Sequence, residues 1–186
     1  KHGRIYRVVY KKAKPYTPLK LDKNDGVGLL AALKNDNMFW RTTAQRLIVE
    51  SQNKTLIPEL IKMVNDPSVD EIGLNSAALH ALWTLQGLGA LDGSNENAYH
   101  TVVRAMRHPA AGVRKNAVKL LPRNEKTLSA LKWTNSINDP DLKVRLAAIQ
   151  ALNDLPASEE IGKMLYLAGQ DSENAADEYL SQAIFS

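Results

Sequence analysis

The chain has 186 residues, of which 44% are hydrophobic, a net charge of +4 and no cysteine. This composition is typical of a folded domain, and no run of about 18 uncharged apolar residues is present that could cross a membrane as a helix. The absence of cysteine excludes disulfides, thiolate zinc sites and cysteine nucleophiles.

The positive charge is concentrated at the N-terminus. Residues 1–23 contain eight Lys or Arg and one Asp, so they carry a charge of +7 and leave −3 for residues 24–186. A surface that binds nucleic acid is expected to show the opposite sign. The charge distribution therefore predicts that nucleic acid is not the partner of this chain.

The first elements in chain order are a short strand and a linker. Residues 3–10 alternate β-branched and aromatic residues with arginine, which predicts a strand. Residues 11–24 contain five lysines together with Pro15 and Pro18, which disfavour helix. Because no later segment alternates with period two, we interpret residues 1–24 as the terminal strand and linker of a preceding β domain.

Helical periodicity begins at Asp25 and continues to the end of the chain. Pro109 and Arg114 recur 31 positions later as Pro140 and Arg145, which identifies the helical segments as repeats. Repeats of this kind bury their apolar faces by stacking on one another. The predicted fold is all-α: an α-α superhelix of about five helical hairpins, with an N-terminal extended arm. The hairpins are predicted at residues 25–52, 54–91, 95–122, 124–155 and 157–186.

The second and fifth hairpins are expected to depart from the regular pattern. In the second, a helix is predicted through Leu74 to Leu82, and Gly87 and Gly89 are predicted to end it. The fifth hairpin is degenerate and acidic, as a polar terminal repeat that caps the stack would be.

Conserved spacing within the repeats also predicts roles for single residues. Asp139 is expected to cap the helix that follows it, with Pro140 in the first turn. Arg114 and Arg145 are expected to bridge neighbouring repeats through their several donors. A hairpin with Asp-Pro in its turn and Val-Arg at the start of its second helix resembles the HEAT family of α-solenoids. That resemblance covers residues 25–186 and implies that the second helices line a surface suited to protein binding.

A second resemblance concerns function. Residues 3–8, 40–47 and 79–91 are similar to segments of bacterial sorbosone-dehydrogenase-like proteins, in which HEAT repeats follow a β-propeller related to quinone-dependent sugar dehydrogenases, often with a c-type cytochrome domain next. The resemblance implies that residues 1–24 end the propeller and residues 25–186 form the HEAT solenoid. It also implies that this segment is non-catalytic and holds no cofactor. Its implied location is the periplasm or cell envelope, without direct membrane insertion.

The partners that this resemblance implies are proteins, namely the flanking propeller and cytochrome domains or an envelope protein. No catalytic, cofactor-binding or metal-binding residue is predicted, since neither a Ser-His-Asp grouping nor a phosphate loop nor a metal-spaced cluster is apparent. The residues that we predict for the interaction surface are Phe39, Trp40, Arg41, Gln45, Asn75 and His80.

Each of these residues also has a structural interpretation. For His80, a hydrogen-bonded structural histidine is favoured over a ligand-binding role. Trp40, Trp83 and Trp133 are interpreted mainly as core or inter-repeat packing. Phe39 and Trp40 are adjacent and cannot both point into one core, so one of them is expected to be exposed.

Two alternative functions stay open at this point. One is a nucleic-acid-binding solenoid that resembles the HEAT-like alkylpurine DNA glycosylases. The other is a stand-alone protein-interaction scaffold unrelated to any dehydrogenase.

Overall fold

A computed structural model of the chain describes residues 3, 6, 8–12, 19–92 and 95–186. In these residues the secondary structure is entirely helical, as predicted. None of the described helices is long and apolar enough to cross a membrane. The α-helices in chain order are α1 (Gly26–Ala32), α2 (Met38–Ser51), α3 (Ile57–Val64), α4 (Ser76–Gly87), α5 (Glu96–Ala105), α6 (Ala111–Lys119), α7 (Glu125–Thr134), α8 (Leu142–Asn153), α9 (Glu159–Gly169), α10 (Ser172–Ala176) and α11 (Glu178–Ile184).

The helices pack in chain order as five hairpins, which we number 1 to 5. Hairpins 1 to 4 are the pairs α1/α2, α3/α4, α5/α6 and α7/α8, and hairpin 5 consists of α9 with α10 and α11. The second helices α2, α4, α6, α8 and α11 pack against one another in that order, so they form one continuous layer. The predicted all-α, repeat-like fold is therefore confirmed.

One apolar core runs along this layer. Ile48, Leu82, Ile149 and Leu180 are fully buried on α2, α4, α8 and α11 and belong to a single cluster. Each hairpin alone would leave such residues in water, and burying a Leu or Ile side chain contributes about 2 kcal/mol. Stacking of the hairpins is thus what stabilises each of them.

The start of α4 differs from the prediction. The helix begins at Ser76, because the Asn75 side chain accepts a hydrogen bond from the Ala78 backbone N–H and acts as the N-cap. Leu74 lies outside the helix, since its backbone N–H donates to Asp70 Oδ1 over 2.8 Å. The predicted helix through Leu74 was therefore wrong by two residues, and a loop closed by Asp70 takes its place.

The Asp-Pro turn before α8 also differs from the prediction. Asp141 is the N-cap of α8, and its Oδ1 accepts from the backbone N–H groups of Lys143 and Val144. Asp139 precedes the cap, and its Oδ1 accepts from the Asp141 N–H over 2.8 Å. Pro140 accordingly lies outside the helix. The Asp139 carboxylate is left free to accept bonds from another hairpin.

The end of α4 follows the prediction at Gly89. This residue has a φ of +69°, and the Ala90 N–H donates to Leu85 O while the Gly89 N–H donates to Gln86 O. These two bonds define a Schellman C-cap, which favours glycine at this position. Gly87 is the last residue of α4 and serves a different purpose, because a β-carbon there would lie 2.5 Å from Val49 Cγ2 of α2.

The two ends of the chain complete the description. Residues 3, 6 and 8–10 lie outside any strand, and residues 4, 5 and 7 of the predicted strand fall outside the described residues. Hairpin 5 is irregular as expected, with a break at Asp177, the N-cap of α11. The prediction of a polar surface holds only in part for this hairpin, because the aromatic residues Tyr166, Tyr179 and Phe185 are exposed beside its acidic residues.

Candidate functional site

The centre of the predicted interaction surface is a polar contact between α2 and α4. His80 Nδ1 lies 2.7 Å from Gln45 Oε1, and His80 is only 8% exposed. An amide oxygen can only accept, so Nδ1 carries the hydrogen in this contact. One turn further along α4, Thr84 Oγ1 donates to the His80 carbonyl over 2.7 Å. The contact links hairpins 1 and 2 and fits the structural role that the sequence favours for His80.

The electrostatic surroundings of His80 keep its ring neutral. Burial lowers the pKa of His80 below its usual range, because the charged imidazolium loses its hydration. The positive charge of Arg41 lowers this pKa further. Near pH 7 the ring is therefore an uncharged hydrogen-bonding group.

Arg41 holds the turn between α1 and α2. Its Nη1 donates to the carbonyl oxygens of Asn35 and Asp36 over 2.6 and 2.8 Å. Its Nε is buried and has no hydrogen-bond partner in the described part of the chain. The two hydrogen bonds from Nη1 thus stabilise the fold of hairpin 1.

Arg114 occupies the same place in α6 as Arg41 does in α2, the fourth residue of the helix. Its Nε and Nη2 donate to the two oxygens of Asp139, each over 2.8 Å. Its Nη1 donates to His108 O and Pro109 O of its own turn. Both side chains of the ion pair are largely buried, and the hydrogen bonds that Arg114 donates to Asp139 raise the pKa of Arg114. The predicted bridge between repeats is confirmed for this residue.

Arg145 is the fourth residue of α8 and forms the next bridge. Its Nε donates to Asp139 O over 2.6 Å. Its Nη1 donates to Asn174 Oδ1 and its Nη2 to Glu173 Oε2, each over 2.8 Å. Arg145 therefore connects hairpin 5 to hairpin 4, and the prediction is confirmed here as well.

The first turn of α2 places large apolar side chains in solvent. Met38 is 64% exposed and Phe39 is 63% exposed. Trp40 is half-buried, and its ring meets that of Phe39 edge-on with the centroids 5.0 Å apart. The expectation that one of the two adjacent aromatic residues is exposed is confirmed, and the exposed residue is Phe39.

Asn75 has a structural position rather than an exposed one. Besides capping α4, its Nδ2 donates to Asp66 O over 3.1 Å and to Ser68 O over 2.9 Å. His108 Nε2, from hairpin 3, lies 2.8 Å from the same Asp66 oxygen. The loop between α3 and α4 is thus held from two sides. The sequence did not point to His108, because only the fold brings it to hairpin 2.

The tryptophans take part in packing between hairpins. Trp83 on α4 donates from Nε1 to Asn116 Oδ1 of α6 over 3.0 Å. Trp133 is exposed over about half its surface, and the Arg107 guanidinium lies 4.3 Å from its ring centroid. The packing interpretation therefore fits both residues, although Trp133 lies at the surface rather than in the core.

A cleft in the layer of second helices was missed by the sequence analysis. It has a volume of about 330 Å³ and lies between α6 and α8 beside Trp83. Lys119, Arg123, Gln150 and Asp154 stand among its polar lining residues. These residues share no motif, so periodicity and spacing do not single them out.

Among the residues that the structure describes, no group of three His, Asp or Glu side chains is arranged to hold a metal ion.

The predicted surface residues separate into two sets. Arg41, Gln45, Asn75 and His80 are engaged in hydrogen bonds within the chain. Phe39 presents apolar surface to solvent beside the half-buried Trp40, together with Met38, which was not among the predicted residues.

Comparison with protein-family models and with curated proteins gives no match for this chain. The resemblances to HEAT repeats and to sorbosone-dehydrogenase-like proteins accordingly stay predictions. The fold and the bridging contacts define the class: an all-α protein built from stacked helical hairpins that are joined by buried polar side chains.

Proposed function

We propose that the chain is a non-catalytic, HEAT-like scaffold that binds another protein through the surface around Phe39. The observation that carries this proposal is the exposure of Met38 and Phe39 at the start of α2. The framework below them is held by hydrogen bonds of Arg41, Gln45 and His80 within the chain.

The geometry of this surface suits protein binding. Aromatic residues supply much of the binding energy at protein interfaces because they bury a large area at a small cost in conformational entropy. Phe39 has an adjacent support, since its ring contacts that of Trp40. Arg41 fixes the turn below it through two backbone carbonyls. The surface is thus held in one geometry before a partner arrives, which favours binding.

The partner that we propose follows from the resemblance to sorbosone-dehydrogenase-like proteins. In that setting the chain would be a spacer that holds a propeller-type dehydrogenase domain relative to its electron acceptor, in the periplasm or cell envelope. The catalytic residues and the quinone or haem sites would then lie in the neighbouring domains.

A first experiment separates this setting from a stand-alone scaffold. The chain and the longest polypeptide that its gene encodes are tested for dye-linked sugar oxidation and for bound quinone or haem. Activity in the longer polypeptide alone supports the proposal. Activity in the chain alone contradicts it, and a gene without propeller or cytochrome segments favours the stand-alone scaffold.

A second experiment tests the surface itself. Hydrogen exchange is compared between the chain alone and the longer polypeptide, where we expect slower exchange in residues 38–46 of the latter. Replacing Phe39 with Ala should abolish this protection, while Tyr166→Ala, an equally exposed aromatic on α9, serves as the control. Equal exchange of residues 38–46 in both polypeptides would contradict the proposed surface.

The nucleic-acid alternative is tested by a gel shift at low salt. Phosphate contacts strengthen as salt is lowered, so the assay is most sensitive there. The charge of −3 on residues 24–186 leads us to expect no shift.

A further inference from the structure

The cleft beside Trp83 lies apart from Phe39, in the layer that the second helices form. It draws on three successive hairpins, with Trp83 from α4, Val118 and Lys119 from α6, and Ala147 and Gln150 from α8. Its volume of about 330 Å³ is at the lower end of ligand sites, so it accommodates one or two side chains rather than a folded element.

The floor of the cleft is apolar and fixed. Val118 and Ala147 are buried in the core of the layer. The Trp83 indole is held by its hydrogen bond to Asn116 Oδ1, and Asn116 Nδ2 donates in turn to Gly112 O over 2.7 Å. An apolar group that enters the cleft therefore meets a surface that has little freedom to rearrange.

The rim of the cleft carries an excess of positive charge. Arg123 Nη2 lies 3.0 Å from Asp154 Oδ2 in an ion pair that is exposed to solvent. The side-chain ammonium of Lys119, which is also exposed, has no ion pair or hydrogen bond in the part of the chain that the structure describes. One ammonium group next to an apolar floor thus lacks a counter-charge. The lining also contains Gln150, which can donate a hydrogen bond from its amide.

We infer that this cleft binds a short acidic segment of a partner protein, in which a carboxylate stands next to an apolar side chain. The carboxylate pairs with Lys119, and the apolar side chain rests on Trp83. The inference rests on the proposed scaffold function, because it takes the ligand to be a protein.

The charges favour a single carboxylate over nucleic acid. Asp154 is already paired with Arg123, so the cleft offers one unpaired positive charge, on Lys119, among the residues that the structure describes. Residues 24–186 carry a net charge of −3, which repels a polyanion. A segment with one carboxylate satisfies the free ammonium without meeting that repulsion.

The test is an NMR titration of the full chain. The probe is the peptide acetyl-Ala-Leu-Glu-Leu-Ala-amide, and the readout is the indole Nε1–H signal of Trp83, assigned with the Trp83→Phe variant. We expect a saturable shift of this signal. Lys119→Ala should weaken binding about two- to fivefold, the upper part of the range for loss of one exposed ion pair. The control is Lys143→Ala, which removes an exposed lysine of α8 outside the cleft and should leave the affinity unchanged.

Four results would overturn the inference. The first is a Trp83 signal that does not move at about 5 mM peptide, a concentration that reveals even millimolar affinity. The second is equal binding of a matched peptide with Gln in place of Glu, and the third is equal binding by the Lys119→Ala variant. The fourth is a stronger response to single-stranded oligothymidylate. None of these changes the exchange of residues 38–46, so a failure here is distinguishable from a failure of the proposed scaffold.

Discussion

At the scale of single residues, the junctions between hairpins depend on polar side chains set into apolar faces. Arg114 reaches both oxygens of Asp139 in hairpin 4, and His80 meets Gln45 between hairpins 1 and 2. Buried polar groups are costly when unpaired, so such contacts disfavour any packing in which the partner is displaced. They determine the register of the hairpins as well as their stability.

Replacing Arg114 with Ala should lower the free energy of unfolding by about 2 to 3 kcal/mol, because Asp139 would keep a buried charge without its partner. Arg114→Lys should lower the free energy of unfolding by a smaller amount, since the lysine ammonium keeps the positive charge but cannot form the bidentate contact with Asp139. Urea unfolding monitored by circular dichroism measures both. Arg46→Ala, which removes an exposed ion pair with Glu50, should change stability by less than about 0.5 kcal/mol. Equal losses in Arg114→Ala and Arg46→Ala would show that the bridge contributes nothing.

His80 should make stability depend on pH. An unfolded chain takes up a proton on histidine near pH 6.5, whereas the lowered pKa of His80 delays that uptake in the folded protein. The unfolded state then binds more protons in this window, so stability falls as the pH falls below about 6.5. We expect a smaller loss of unfolding free energy between pH 7.5 and 5.5 in His80→Gln than in the unaltered chain. The control His100→Gln, at an exposed position, should lose as much unfolding free energy over this pH range as the unaltered chain does.

At the scale of elements, the ends of α4 are set by local contacts that extend over only a few residues. Asn75 starts the helix and Gly89 ends it in the left-handed region, where side chains are disfavoured. Gly87, two residues earlier, has an ordinary helical conformation but borders Val49 of α2. Glycine is therefore required at position 89 by the backbone conformation and at position 87 by the close approach of Val49.

Alanine substitutions should separate these two reasons. Gly89→Ala should cost about 1 kcal/mol through its backbone alone, because nothing lies within 4 Å of the new β-carbon. Gly87→Ala should also destabilise the protein, since the new β-carbon meets Val49 Cγ2. Adding Val49→Ala to the Gly87→Ala variant should recover stability, whereas adding it to the Gly89→Ala variant should not. Thermal unfolding of the single and double variants measures this, and purely additive effects of Gly87→Ala and Val49→Ala would rule out the close contact.

At the scale of the whole molecule, the layer of second helices transmits stability from one hairpin to the next. In a stack of this kind each repeat contacts its neighbours, so weakening one junction affects mainly the repeats beyond it. Arg145 lies at the junction before hairpin 5, where it reaches Asn174 and Glu173. An exposed ion pair between Lys132 and Glu160 lies at the same junction.

Arg145→Ala should therefore loosen hairpin 5 selectively. Hydrogen exchange is expected to accelerate in residues 159–184 while α2 and α4 keep their protection. Lys132→Ala, which removes the exposed pair at the same junction, should have little effect. Faster exchange throughout the chain would contradict a stack of nearest-neighbour units and indicate one cooperative domain.

The sequence predicts the fold more fully than the site, for physical reasons. The apolar period and the recurrence of Arg114 as Arg145 are local patterns, and they predict the five hairpins and the bridging arginines. The partners of those arginines depend on which residues the stack brings together, and spacing did not identify Glu173 or Asn174. The cleft of Lys119 and Gln150 was missed for the same reason, since its residues come from separate helices and share no motif.

The equivalent register of Arg114 and Arg145 bears on how the gene can change in length. Loss of residues 110–140 by unequal crossing-over would place Arg145 six residues after His108, the spacing that Arg114 has now. Arg145 would meet the backbone carbonyls of that turn and would keep Asn174 and Glu173 as acceptors. Duplication of the same segment would add one more bridge of the same kind. Loss or gain of this unit thus leaves no buried charge unpaired, whereas a deletion that removed Asp139 but kept Arg114 would leave Arg114 without its carboxylate.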